Sequence, residues 1–222
     1  MAFLSKSFVD FFSQLAANNS SDWFAEHKKE YETSVKNPFR AFVEEMIKRI
    51  QVYQPEVQIS ASEAISRINK DIRFSKDKTP YNTHVSANIS SQGKKSKEEP
   101  GFFFQLSHEG ISIYGGAYMV EPQNLQKLRS HIAGNLKRFN TLYNEKDFKE
   151  KYGALQGEKN KKLADEFKAI AEKEPLIANK HYYYTAKLKP QQMLKEDLAD
   201  VLMSYYHAGK KMNDFLKEGL RK

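Results

Sequence analysis

From Ile65 to about Tyr118 the apolar residues of this chain recur at every second position, whereas before and after that stretch they recur at every third or fourth. A period of two buries one face of an extended strand, and a period near 3.6 buries one stripe of a helix. Helices, then strands, then helices predicts an α+β fold in which a central, mostly antiparallel sheet is covered by N- and C-terminal helices.

The first stripe is Phe8, Phe11, Phe12 and Leu15, closed by the polar run Asn18-Asn19-Ser20-Ser21, which also supplies caps for the next helix. Trp23, His27, Tyr31 and Val35 then stand at four-residue steps, a semi-polar aromatic stripe with Trp23 and Phe24 read as core. Asn37-Pro38 punctuates the pattern. Phe39, Phe42, Val43, Met46, Ile47 and Ile50 form the stripe of a third helix, or of a kinked continuation.

In the middle section an extended run over 65–74 puts Ile68, Lys70, Ile72 and Phe74 on one face and Arg67, Asn69, Asp71 and Arg73 on the other. Val85, Ala87 and Ile89 continue the alternation, and the stretch 93–101 is a polar loop. Phe102 to Leu106 and Ile111 to Tyr114, joined by Ser107-His108-Glu109-Gly110, predict an antiparallel hairpin, with a bend or bulge at Gly115-Gly116. Beyond Pro122, Leu125, Leu128, Ile132, Leu136, Phe139, Phe148 and Tyr152 predict short helices, and 153–175 reads as irregular. Tyr182 to Leu188 has the aromatic content of a late strand. A final helix carries Leu194, Leu198, Val201, Leu202, Tyr205, Phe215 and Leu216, with Gly209 as a weak point.

With 222 residues, 40% of them hydrophobic, and no internal repeat or dividing linker, a single domain over 1–222 is expected. The absence of cysteine excludes a disulfide framework, a cysteine zinc site and a thiol nucleophile. No window approaches the roughly 18 apolar residues of a membrane span, and the N-terminus lacks a basic region followed by an apolar run. No membrane association is expected, and the cytoplasm is the expected compartment.

A net charge of +8 directs attention to anionic partners. The densest charge lies in Arg67-Ile-Asn-Lys-Asp-Ile-Arg-Phe-Ser-Lys-Asp-Lys-Thr-Pro-Tyr81, where Arg67, Lys70, Arg73, Lys76 and Lys78 face only Asp71 and Asp77. Arg73 offers a planar fork, Lys76 and Lys78 point charges, Ser75 and Thr79 hydroxyls, and Tyr81 a capping ring for a phosphate or carboxylate. Asp71 or Asp77 would orient a basic group or act as a general base. The rival reading is a tight loop in which the two acids hold the bases in a structural ion-pair network. His27 is a supporting candidate for ligand contact, its rival role being core packing.

The six histidines, at 27, 84, 108, 131, 181 and 207, include no pair at helical metal-ligand spacing, so no metal is expected. Phosphate-loop, dinucleotide and nucleophile-elbow glycine motifs are absent, so no cofactor is expected. Two lysine clusters, Lys94, Lys95, Lys97 and Lys159, Lys161, Lys162, are flanked by Glu98, Glu99, Glu158, Asp165 and Glu166. That flanking favours a solvated surface over nucleic-acid contact.

Arg67-Ile68 followed by Asp71-Ile72-Arg73-Phe74-Ser75-Lys76-Asp77-Lys78-Thr79-Pro80-Tyr81 resembles the signature of the bacterial and fungal family called domain of unknown function 2461. The likeness extends to Asn18-Asn19, Trp23-Phe24, Gly115-Gly116, Pro122 and Leu155-Gln156-Gly157-Glu158, essentially the whole chain. It departs at Lys70, where the resemblance implies Arg, and near 163–167, where it implies a proline-glycine element. The resemblance implies one intact domain and leaves activity open.

The expectation is therefore an anionic small-molecule site lined by Arg67, Asp71, Arg73, Lys76, Lys78 and Tyr81, supported by His27, Asp77 and Thr79, in a binding protein or an enzyme whose reaction the sequence does not name. The alternatives are contact with nucleic-acid backbone, and a non-enzymatic interaction domain in which the charged motif is structural.

Overall fold

The computed structural model describes residues 2–95 and 98–221. In chain order it contains α1 (Lys6–Ala17), α2 (Ser21–Glu26), α3 (Lys28–Glu30), a π-helical turn (Tyr31–Lys36), α4 (Asn37–Gln51), α5 (Ala61–Ala64), β1 (His84–Ile89), β2 (Phe102–Ser107), β3 (Gly110–Ala117), α6 (Pro122–Gly134), α7 (Leu136–Asn144), α8 (Lys146–Tyr152), α9 (Asp165–Lys173), β4 (Tyr182–Leu188) and α10 (Leu198–Arg221). The four strands form an open antiparallel sheet in the order β1-β2-β3-β4, flanked by the N- and C-terminal helices, so the fold class is α+β. Two compact units are distinguished, and each draws on three stretches of chain.

The first unit comprises Met1–Lys94, Phe103–Ile113 and Lys187–Met203. Phe8, Phe11, Phe12 and Leu15 of α1 are fully buried, and each such side chain contributes about 1.5–3 kcal/mol over leaving it in water. Ser20 starts α2 by accepting from the Trp23 amide, and Asp22 in the first turn complements the helix dipole. Of the two readings at Asn37-Pro38, a separate third helix or a continuation, the continuation is the one formed. The chain passes from the π-helical turn straight into α4, with helical backbone at Lys36 and Asn37, and Pro38 is tolerated because it falls in the first turn of α4. The Thr33 hydroxyl donates to the Lys29 and Glu30 carbonyls just upstream (3.0 and 3.4 Å). The α4 stripe packs on the sheet through edge contacts of Phe39 and Phe42 with Phe104 (6.1 and 5.8 Å). The hairpin turns on His108-Glu109, with Gly110 at φ +136°, where an added Cβ would lie 2.2 Å from the Leu188 carbonyl oxygen.

The second unit comprises Lys95–Phe102, Tyr114–Ala186 and Ser204–Lys222. Its core holds Leu128, Ile132, Phe139, Phe148, Tyr182, Tyr184, Phe215 and Leu216. Gly115-Gly116, expected to make a bend or bulge, lies within β3, with Gly116 at φ +95°, and Gly209 does not interrupt α10. Gly115 and Gly209 are needed for one reason. A Cβ at Gly115 or at Gly209 would lie 2.4 Å from the Tyr184 hydroxyl oxygen, so glycines on two elements make room for one buried phenol. That hydroxyl sits 2.7 Å from Asn213 Oδ1 and 2.9 Å from the Gly209 carbonyl, and burial pushes its pKa well up. The Gly116 amide donates to the same Asn213 oxygen (2.8 Å).

Within the stretch read as irregular, α9 forms around buried Phe167, with Asp165 and Glu166 at its N-terminus. Arg129, inside the apolar stripe of α6, is buried with its guanidinium donating to the Ile177, Ala178 and Asn179 carbonyls. Of the two lysine clusters, Lys94 donates to the Ser62 and Ile65 carbonyls, Lys161 and Lys162 are exposed, and Lys97 lies outside the described residues. Among the described residues, no helix is long and apolar enough to cross a membrane.

Candidate functional site

The charged motif occupies an arm of the first unit that precedes β1. Ile65 bridges Ala87 and Asn69 bridges Tyr81, both antiparallel. Backbone hydrogen bonds from Ser66 to Ser86, Asn82 to Ile68 and Lys70 to Pro80 (3.0, 2.8 and 2.8 Å) carry the pairing to the base of a loop over 71–79. The extended run expected over 65–74 therefore ends at Lys70. Local chemistry stops it: Asp71 Oδ1 accepts from the Arg73 amide (3.3 Å) and the Ser75 amide bonds the Ile72 carbonyl (3.3 Å), which satisfies the backbone within a turn. Arg73 and Asp71 consequently stand on that turn rather than in an ionic row along a strand.

The arm is clamped at its base by the N-terminal helices. Asn19, between α1 and α2, donates through Nδ2 to the Tyr81 carbonyl (2.9 Å) and accepts at Oδ1 from the Tyr81 amide (3.1 Å). The side-chain amide thus meets both backbone groups of one residue, as a neighbouring strand would. The Tyr81 ring stacks on Phe24 at 4.0 Å, and Phe24 in turn contacts Tyr31 and Phe11. Tyr81, expected to cap a ligand, thereby anchors the arm.

Two ion-pair groups brace the loop. Asp71 takes the Arg73 guanidinium in a fork, Nε to Oδ1 at 2.9 Å and Nη2 to Oδ2 at 2.7 Å. Asp77 accepts at Oδ2 from Lys70 Nζ (2.8 Å) and at Oδ1 from the Thr79 amide and hydroxyl (2.9 and 2.8 Å), while Lys70 also reaches the Thr79 oxygen (2.6 Å). The Lys70 ammonium and the Thr79 donors hold the Asp77 carboxyl far below the usual carboxylate range, and Arg73 lowers Asp71. Carboxylates stabilised in this way are poor proton acceptors near neutrality. Lys78 Nζ donates to the Ile72 carbonyl (2.9 Å).

The two acids thus neutralise Arg73 and Lys70, and no carboxylate lies within ion-pair distance of Arg67, Lys76 or Lys78 among the described residues. Arg67 acts on Asp71 only through longer-range attraction. Those three cations are the local surplus, and all three are exposed.

Phe74, expected on the apolar face with Ile68 and Ile72, is 96% exposed at the loop's turn, with the Arg73 guanidinium 5.9 Å from its ring centroid. Leaving it in water forgoes about 1.5–3 kcal/mol of burial. The sequence placed Phe74 on the apolar face of a strand and Asn19 in a capping run, and it gave neither a part in the site; the signal that could have found them was their place in the two stretches that carry the family likeness. His27 stacks on Trp23 at 4.0 Å and donates from Nδ1 to the Trp23 carbonyl (2.8 Å), contacts that stay within the N-terminal helices. His84, at the start of β1, is a further titrating neighbour, its pKa lowered by burial and then by the Lys70 ammonium. Among the described residues no group of three or more His, Asp or Glu side chains gathers so as to hold a metal ion.

Comparison with curated proteins and with solved structures gave no match. A family model described as a conserved hypothetical protein, DUF2461, matches residues 7–215 and so includes the clamp, the arm and the braced loop. The chain belongs to the DUF2461 family.

Proposed function

We propose that this protein binds an anionic ligand carrying phosphate or carboxylate groups at the 67–81 arm. Arg67, Lys76 and Lys78 supply the attraction, and Asp71, Arg73, Asp77, Thr79 and Tyr81 hold the loop in shape. The observation that carries this reading is the charge balance: the acids of the motif are spent on Arg73 and Lys70, which leaves three exposed cations without a carboxylate in ion-pair distance among the described residues. Bracing lowers the ordering cost a mobile lysine loop would meet on binding.

The rival reading, favoured by the two internal ion-pair groups, is that the network is structural and the surplus charge merely solvated. Tripolyphosphate separates the two. Binding to the site raises the melting temperature of the wild type in proportion to the logarithm of ligand concentration. The double substitution Arg67→Gln with Lys76→Gln abolishes most of that rise, whereas Lys161→Gln with Lys162→Gln, the same change in net charge in the second unit, leaves it intact. Equal losses in both doubles, or no rise in the wild type, would discard the site.

A further inference from the structure

Phe74 is more exposed than any other large apolar side chain among the described residues, and it stands at the centre of the cationic loop. Its backbone is not left to wander. The Ile72 carbonyl accepts from Ser75 and from Lys78 Nζ, and Arg73 is locked to Asp71 on the other flank. An aromatic ring held out in water by a braced turn is presented to a partner rather than stored for folding.

Three kinds of partner could receive it, and the neighbouring residues discriminate among them. A lipid surface calls for a broad apolar face, but within 71–79 the only other apolar side chain is Ile72, which is half-buried. A protein pocket that takes one aromatic anchor has no need of the surrounding cations. A single-stranded nucleic acid offers both complements together, a planar base for the ring and phosphates for the lysines, and it is sequence-tolerant because every base has a π-face. An exposed tip can cover only part of a small ligand, whereas a strand can engage the ring and several charges in succession.

We infer that the 71–79 loop binds single-stranded nucleic acid, one base stacking on the Phe74 ring while Lys76 and Lys78 contact adjacent phosphates. This rests on the anion-binding reading and adds the chemical class of the ligand. It also reverses the sequence-level balance against nucleic acid, which was drawn from the lysine clusters at 94–97 and 159–162 and not from this loop.

The test compares fluorescein-labelled oligothymidylate, read by anisotropy at several salt concentrations, with tripolyphosphate, read by thermal shift. Phe74→Ala is expected to weaken oligothymidylate binding on the order of 5- to 150-fold, the loss of one base stack, while tripolyphosphate binding stays within about twofold. Phe74→Trp retains the affinity, and Phe74→Leu, apolar but without a π-face, loses it as Ala does. Because Phe74 is exposed, all three variants are expected to melt with the wild type. Unchanged oligothymidylate affinity in Phe74→Ala, with tripolyphosphate still bound, would overturn the stacking and leave the anion site standing. Binding of neither probe by the wild type would overturn both. Retention by Phe74→Leu, together with Phe74-dependent pelleting on phosphatidylglycerol vesicles, would overturn the inference in favour of a membrane surface.

Discussion

Replacing Asn19 with Ala tests how the arm is held. The Asn19 amide makes two hydrogen bonds, 2.9 and 3.1 Å, to the carbonyl and the amide of Tyr81, and both groups are part-buried. Each bond contributes about 0.5–1.5 kcal/mol net, and partial exposure lets water replace some of what is lost, so the expected cost is about 1–2 kcal/mol. For a chain of this length each 1 kcal/mol lowers the melting temperature by about 2–4 °C, which gives a drop of roughly 2–8 °C. The more diagnostic assay is hydrogen exchange. The amides of Lys70 and Asn82 pair across the arm beside Tyr81, and their protection should fall along with that of Tyr81, while amides in the β2–β3 hairpin keep theirs. Asn19→Asp separates the two halves of the clamp: the carboxylate still accepts from the Tyr81 amide but confronts the Tyr81 carbonyl with an acceptor instead of a donor. It should loosen the arm as well. If Asn19→Ala left exchange at Lys70 and Asn82 unchanged, the arm would be held by the Tyr81–Phe24 stack and its own pairing, and the clamp argument would be wrong.

Two glycine substitutions in helices should change stability in opposite directions. Gly134→Ala, at an exposed helical position with nothing within 4 Å of the new Cβ, should stabilise by up to about 1 kcal/mol, whereas Gly209→Ala, whose Cβ would lie 2.4 Å from the Tyr184 oxygen, should destabilise by about 1–3 kcal/mol; equal signs in urea denaturation would refute the packing account. Stability should also fall on the acid side. His84 has its folded pKa lowered from 6.5, so the unfolded chain takes up that proton first, and the contribution is full above about pH 6.5 and lost as pH falls through and below that value. His84→Gln should flatten the urea midpoint across that range, and an unaltered slope would count against the assignment. Asp71 and Asp77, lowered from 3.8, contribute above that value and lose their contribution as pH falls below it, so Asp71→Asn should shallow the acid limb near pH 4 and below; a limb as steep as the wild type's would refute it.

Hydrophobic period located α1, α4, β1 and α10, period with a turn signal located the β2–β3 hairpin, and aromatic content located β4, because each buries a stripe or face against neighbouring elements. The same reading failed where a local bond or one particular neighbour outweighed periodicity. Alternation carried the strand to Phe74, yet the Asp71 carboxylate and the Ile72 carbonyl satisfy the following amides within a turn, and so the ring points into water. Glycine propensity predicted a bend or bulge at Gly115-Gly116 and weakness at Gly209; Gly116 does leave regular strand backbone at φ +95°, but α10 runs unbroken through Gly209, where, as at Gly115, the Tyr184 phenol needs the empty volume. The α9 helix went unread because a single large residue, Phe167, is its only buried anchor.

By itself the sequence determined the α+β class, the succession of helices and strands, and a surplus of three positive charges in one short segment, since these depend on period and composition. Only the tertiary structure decided which cations that surplus comprises, that Asn19 and Phe24 of the N-terminal helices clamp the arm, and that Phe74 is displayed rather than buried. The physical reason is that pairing, clamping and exposure are relations between residues that meet through the fold, as Asn19 meets Tyr81 across 62 positions of chain, and no local pattern encodes them.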